Sequence, residues 1–389
     1  MQHSFFTQQN QHEIDMYVEL LEITGSLSNL FSESINPFIY YRAMENIFCK
    51  AFNAENLSRS DISADASKDR LGIGLKTFVQ GNGNTFQKVA EFNKDLSTLQ
   101  KLTDKEFIRK VAELRNERIR ATMRICDLDA MIYHLLTRSE KYFGIYEEDM
   151  DFVDTDNIKI IKNTDKTIYF VDGINEYNFN FSKSTLLKRF NTTDTKMLYG
   201  FNVNILKDPF DFLLASRYSI SQANLNFSQD NEETLLDYII LPLYSPRSRV
   251  VELKSGLNQW NASGRKRNQD EVYIPIPSWI HQKKKGFFDY STSDYKTDPF
   301  DVKLPSGKVL SMKVAQQGGK ALMSNPNSDL GKWILRDILQ LKPGEIVTIN
   351  QLQTLGIDSV MLGKTNEGKY TLDFLKQGSF DDFEEKINR

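Results

Sequence analysis

Seven short runs rich in β-branched and aromatic residues, DYIILPLY, EVYIPIP, FDVKL, VLSMKVA, EIVTI, DSVML and YTLDF, follow one another between residues 237 and 374 with turn residues between them. Runs this short and this closely spaced cannot carry helical periodicity. They predict a compact barrel-like β domain of about 150 residues, interrupted by helical breaks near Ser278–His281 and Leu330–Leu339. The chain before them has a different texture. Ile14, Tyr17, Val18, Leu21 and Ile23, then Met44, Ile47, Phe48 and Phe52, repeat at helical spacing, with Asn36-Pro37 as a plausible helix opening. The apolar, glycine-punctuated LGIGLKTFV reads as a strand, and residues 85–140 read as long amphipathic helix. From 157 to 215 the segments IKIIK, KTIYFV and YNFNF read as strands, with Asp172-Gly173 as a hairpin turn. The polar stretch 216–235 reads as a connection. The chain is therefore expected to be α+β, with a first domain over 1–220, a linker over 221–235 and a β-barrel domain over 236–389.

Composition narrows the function classes. A hydrophobic fraction of 40% and a charged fraction of 26% are ordinary for a soluble globular protein, and no apolar run approaches the roughly 20 residues that span a bilayer. The start, MQHSFFTQQNQHEIDMY, lacks the pattern of a secretory leader. Cys49 and Cys126 form no CxxC pair, so neither a disulfide framework nor a Cys-rich zinc site is expected. These features predict a cytoplasmic protein without a membrane partner. The net charge of −3 hides a local excess: residues 247–320 carry 14 Lys and Arg against 7 Asp and Glu. The clusters Arg265-Lys266-Arg267 and Lys283-Lys284-Lys285 stand out. A lone basic run is usually a solvated face, but local surplus is what phosphate binding requires.

Two loops carry side chains of the types that suit base edges and phosphates. The first, residues 255–277, presents Asn258, Gln259, Arg265, Lys266 and Arg267; the second, residues 315–333, presents Gln316, Lys320, Ser324 and Asn325 beside two consecutive glycines. Arg can grip guanine in bidentate fashion and Asn or Gln adenine, while the structural alternative is amides that cap turns. The runs SGLNQWNASGRKRNQDEVYIPIPSWIH, GGKALMSNPNSDLGKW and LGIDSV resemble the B3-like DNA-recognition domain at the C-terminus of NgoFVII-type restriction endonucleases, over about 240–375. The resemblance implies two arms embracing the major groove, with Asn258, Gln259, Arg265 and Arg267 on one and Gln316, Lys320, Ser324 and Asn325 on the other. It implies double-stranded DNA as the ligand and a type II restriction endonuclease, for which a cognate DNA methyltransferase that protects the host's own sites is the expected functional partner.

Relatives of such domains commonly carry a phospholipase-D-type nuclease, which needs His-x-Lys with a following Asp. Here the sole candidate, His281-Gln282-Lys283, falls inside the recognition region, has Asp289 one residue too late, and reads as a surface turn. Mg²⁺-dependent phosphodiester hydrolysis instead needs at least two carboxylates and a nearby cationic group. Asp61 or Asp65, followed by Lys76 on an apolar strand, supplies them in a pattern that resembles the PD-(D/E)XK nuclease fold, whose Asp and (Asp/Glu)-x-Lys lie on adjacent strands. Gly74 stands where that motif has its second acid. Some members of the superfamily move this carboxylate to a helix, and Glu45 is the candidate for it, with Glu91 second. Glu45, Asp65 and Lys76 are thus the expected catalytic residues, with Asp65, Glu45 and Asp61 on Mg²⁺. Arg115, Arg118, Arg120 and Arg124, interleaved with Glu113 and Glu117, read as internal salt bridges or as a grip on the DNA backbone. Cutting two strands suggests a homodimer. A DNA-binding regulator without catalysis, and a nuclease of RNA or modified DNA, are the competing expectations.

Overall fold

The computed structural model describes residues 4–57, 62–93, 99, 102–217 and 235–388. The chain divides into two compact units. One comprises Met1–Ser58, Ser63–Asn116 and Asp129–Asn231; the other comprises Arg59–Ile62, Glu117–Leu128 and Glu232–Arg389. The expected linker, 221–235, lies outside the described residues except for Leu235.

In the first unit α1 (Phe5–Gln8) and α2 (Gln11–Ser26) each open on a side-chain cap. Ser4 accepts from the Thr7 amide and Asn10 from the Glu13 amide, which satisfies donors that helix geometry leaves orphaned. Helix α3 (Tyr41–Phe52) starts four residues after Pro37 and closes on Asn53 in the left-handed conformation (φ 48°). Its buried face is Met44, Glu45, Phe48, Ala51 and Phe52. Strands β1 (Glu55–Asn56), β2 (Ala66–Lys68) and β3 (Leu71–Val79) then form an antiparallel meander. Asp69 and Arg70, both at positive φ (50° and 65°), make the two-residue turn between β2 and β3 that matches strand twist.

The stretch expected as continuous helix from 85 to 140 is three elements: β4 (Asn84–Glu91), α4 (Asp104–Cys126) and β5 (Ala130–Ser139). The reason is burial. β5 lies between β3 and β6 (Tyr142–Asp149), and its run MIYHLLT is buried throughout, so alternation is absent and periodicity alone cannot separate it from helix. β5 runs parallel to β3, which requires a long crossover, and α4 lies in that connection. After β7 (Lys159–Asn163), β8 (Thr167–Val171), β9 (Glu176–Asn180) and β10 (Thr185–Asn191), β11 (Tyr199–Asn202) completes a six-stranded sheet ordered β1-β2-β3-β5-β6-β11. The remaining strands form a second sheet, β4-β10-β9-β8-β7. Tyr17, Leu21, Phe48 and Phe52 pack on Ile73, Leu75, Leu136 and Phe143 of the mixed sheet. Phe107, Ile108 and Val111 of α4 pack on Ile168, Phe170, Phe179 and Leu186 of the second sheet.

The other unit is built on a nearly closed, barrel-like sheet of seven strands. These are β12 (Leu235–Pro242), β13 (Ile274–Pro275), β14 (Phe300–Lys303), β15 (Val309–Ala315), β16 (Ala321–Ser324), β17 (Ile357–Thr365) and β18 (Tyr370–Lys376), ordered β12-β17-β18-β14-β15-β16-β13. Its pairs are antiparallel except β14 with β18. Six of the expected runs contribute strands. EIVTI does not: Thr348 instead opens a helix, Ile349–Thr354, through a capping box with Gln351. The strand that takes its place in the count is β16, whose ALMS lacks β-branched residues.

Candidate functional site

Helix α3 and the β2–β3 hairpin bring the charged residues of the first unit together. Glu45 sits on the buried face of α3, and Arg42, one turn earlier, pairs with it at 2.8 Å. Burial pushes the Glu45 carboxyl above the usual glutamate range, the like charge of Asp65 pushes it further, and Arg42 and Lys76 pull it back. The Cys49 thiol, one turn on, is pushed up to about 12 by burial and by the fields of Glu45, Asp65 and Glu55. One neighbourhood therefore holds several negative charges. Asp65 is fastened to β3: its amide donates to Ile73 O (2.9 Å) and its Oδ2 accepts from the Leu75 amide (2.7 Å). Lys76, the next residue along β3, is half-buried, and its Nζ has no hydrogen bond or ion pair with the described residues. Asp61 lies outside the described residues.

Gly74, two residues before Lys76, has a steric reason to lack an acid. A Cβ there would stand 2.8 Å from Met150 Cε and 3.2 Å from Tyr133 Cδ1, so that side of β3 is already filled. Glu91 is not part of the cluster: it lies on β4, in the second sheet, exposed and paired with Lys88 at 3.1 Å. The arginines of α4 are largely engaged within the protein. Arg115 is buried and donates to Asp151 O, Arg124 donates to Ile338 O, and Arg120 pairs with Glu117 at 2.7 Å. Among the described residues no group of three or more His, Cys, Asp or Glu side chains is arranged to hold a metal ion.

In the second unit the two polar loops meet, but not every residue singled out from the sequence faces outward. Asn258 is fully buried. Its Nδ2 donates to Glu252 O (3.0 Å) and Val347 O (2.9 Å), and its Oδ1 accepts from the Val347 amide (2.8 Å). The amide thus does for Val347 what a neighbouring strand would do, and it has no edge left for DNA: Asn258 is corrected to a structural brace. Ser324 is likewise buried, with its Oγ accepting from the Leu330 amide at 2.9 Å. Arg267 spends one guanidinium nitrogen on Ala262 O (3.0 Å) and so ties its own loop. Arg265, Lys266, Lys320 and Asn325 are exposed. His281 is buried in a helix (Ser278–Lys283), not in a surface turn, and it touches Tyr290 OH at 2.6 Å and Gly319 O at 3.1 Å.

A polar chain joins the loops. Gln316 Nε2 donates to Gln259 Oε1 (3.2 Å), Gln259 Nε2 donates to Glu271 Oε1 (3.1 Å), and Glu271 also takes the guanidinium of Arg265. Sequence reasoning passes over Glu271, which reads as one acid in a polar loop; its only signal is its spacing from Arg265 and Arg267. Gln316 itself has φ 66° and ψ 171°, a region populated almost only by glycine. Strain of that kind survives where surrounding contacts hold it.

Among the described residues no helix is long and apolar enough to cross a membrane. No curated protein matches the chain. Residues 235–366, from the start of β12 to just past β17, match the family model of the NgoFVII C-terminal B3-like DNA-binding domain, which makes this region similar to the DNA-binding domain of a restriction enzyme.

Proposed function

We propose that the chain is a sequence-specific endonuclease of the type II restriction kind, which hydrolyses double-stranded DNA with Mg²⁺. The match of residues 235–366 supports DNA binding. The observation that carries the cutting role is the neighbourhood of Glu45, Asp65 and Lys76, where a buried carboxyl is opposed by a second carboxylate and only partly offset by cations. The order helix, three-stranded meander, crossover helix, parallel strand supports a PD-(D/E)XK-like reading of the first unit, with the displaced acid on α3. Asp65 and Glu45 fit Mg²⁺, which takes one or two protein carboxylates and draws its remaining ligands from water and substrate phosphate; Asp61 is a further candidate. When bound, the ion would supply charge against the phosphoryl oxygens and acidify a water.

The chain's own part follows from its contacts. The Leu75 amide fixes Asp65, and Arg42 holds Glu45 until a stronger cation competes. Lys76 Nζ, uncommitted among the described residues, is available to orient the attacking water and to meet the charge that develops on the phosphate. A homodimer would serve the two strands, and a methyltransferase of the same specificity would protect the host. The competing reading, a DNA-binding regulator without catalysis, draws on Gly74 and on the lack of a three-ligand cluster among the described residues. Plasmid and phage DNA incubated with Mg²⁺, followed by end mapping, tests the proposal. Defined ends that vanish in Lys76→Ala while duplex binding persists support it, and intact DNA with tight binding favours the regulator.

A further inference from the structure

We infer that Glu271 is a positioning residue that sets the hydrogen-bond polarity of both DNA-facing loops, orienting Arg265 directly and Gln316 through Gln259; this rests on the DNA-reading role proposed above. Glu271 is 4% exposed, and its carboxylate is an acceptor only. Whatever faces it must donate. Arg265 does so with a single Nη2, while its side chain remains 60% exposed, so the rest of the guanidinium fork stays free to grip a base or a phosphate. Arg267 Nε lies 3.8 Å from the same oxygen, with its own side chain mostly buried.

Gln259 is the more informative partner. An amide can be turned over at little cost, exchanging donor for acceptor, unless a neighbour forbids it. Glu271 forbids it: Gln259 must turn its NH₂ toward the carboxylate, which leaves its carbonyl facing the other loop. There Gln316 donates from Nε2 at 3.2 Å. The orientation of Gln316 is thereby set as well, and its Oε1 takes no hydrogen bond from the described residues. A fixed, uncommitted carbonyl selects an exocyclic amino group, which adenine and cytosine present in the major groove and guanine and thymine do not. The backbone of Gln316 in a glycine-like conformation keeps this side chain at its post. One buried acid thus couples the readout of two loops that are 45 residues apart from Glu271 to Gln316.

The test uses the full chain without Mg²⁺, so that binding is read without cutting. A preferred duplex is first selected from a random pool, and affinities are then measured for every single base-pair change in it. For Glu271→Gln, which can accept or donate, the expected result is a loss of discrimination of about tenfold at each of two base-pair positions, with non-specific binding retained. Gln259→Met cuts the relay but leaves Glu271 on Arg265, and should relax one of those two positions only. Gln316→Ala should relax that same position and add nothing to it in the Glu271→Gln background. Uniform weakening on all sequences, full discrimination in Glu271→Gln, or no effect of Gln259→Met would overturn the inference. Should Glu271→Gln fail to fold, Gln259→Met alone still decides the relay. A wild-type chain that selects no sequence would instead sink the DNA-reading proposal underneath.

Discussion

Two buried glutamates, one in each unit, show how burial alone says little about what an acid does. Glu45 is 5% exposed and Glu271 4%. Among the described residues Glu45 has one ion-pair partner, Arg42, and it shares its surroundings with Asp65, so burial and like charge both penalise its ionised form. Glu271 takes Arg265 and Gln259 as donors, with Arg267 at 3.8 Å. The first neighbourhood is short of positive charge and gains by taking a cation. The second already gives its acid two donors and a further arginine nearby, and that acid is spent on holding other side chains in place. The contrast assigns opposite roles to two residues with nearly the same accessibility.

The contrast is broken most directly at the charge-poor site. Replacement of Lys76 by Ala should lower DNA cleavage by about 10²–10³-fold, the usual cost of one preorganised cationic or hydrogen-bonding group at a developing negative charge. Plasmid nicking and linearisation rates measure it, with duplex affinity unchanged. The next effect is thermodynamic. Divalent cation at a hundredfold excess over its dissociation constant should stabilise the wild-type chain by about 2.7 kcal/mol, and Glu45→Gln and Asp65→Asn should lose most of that gain while Glu271→Gln keeps it. Thermal melts with and without Ca²⁺ or Mg²⁺ read this without any cleavage. If Glu271→Gln erased the stabilisation, or Glu45→Gln preserved it, the assignment of roles would be reversed.

What the sequence could tell differs between the two sites for physical reasons. The elements that carry the candidate residues of the first unit were legible from clear local signals: the amphipathic α3 carries Glu45, and the apolar strand LGIGLKTFV carries Lys76. The barrel-like sheet was legible from its short runs, but β16 and the EIVTI segment were misjudged. In EIVTI side-chain hydrogen bonds override propensity, since Asn258 pairs with Val347 and Thr348 caps a helix, whereas the ALMS of β16 has no β-branched residue to mark it as a strand. The strand β5 was hidden because burial on both faces erases alternation. Asn258 and Ser324 looked like DNA contacts because composition cannot show whether an amide or hydroxyl faces solvent or braces its own fold. Glu271 went unseen for the converse reason, since spacing from Arg265 and Arg267 is a weak local mark for the hub of a network.

The second region can also be broken from within. Asn258→Ala leaves the Glu252 carbonyl and the buried carbonyl and amide of Val347 without their partner, and should cost about 1–3 kcal/mol of stability, seen as a lower denaturant midpoint with an unchanged slope. Its effect on DNA affinity should come only through that loss, and should vanish when binding is measured well below the melting temperature; a selective loss of sequence preference under those conditions would return Asn258 to the DNA-facing set.

The smallest effect sharpens the comparison through a proton. His281 is buried between Tyr290 and Gly319, and burial holds its pKa below the usual histidine value of about 6.5. Gly319 O can only accept, so the proton of the neutral ring sits on Nε2, and Nδ1 accepts from Tyr290 OH. Because the folded state resists protonation, it binds fewer protons than the unfolded chain between the lowered pKa and about 6.5. The contribution of His281 to stability is therefore complete above about pH 6.5 and is lost as pH falls through the lowered value. The stability gap between wild type and His281→Gln should be widest near pH 7.5 and should narrow on acidification towards pH 5, as read by denaturant titrations at each pH. A network whose donors and acceptors are already matched rejects an added positive charge, whereas the Glu45 neighbourhood should accept one. A gap that widens on acidification would mean that the His281 pocket welcomes the proton, and would remove the distinction between the two regions.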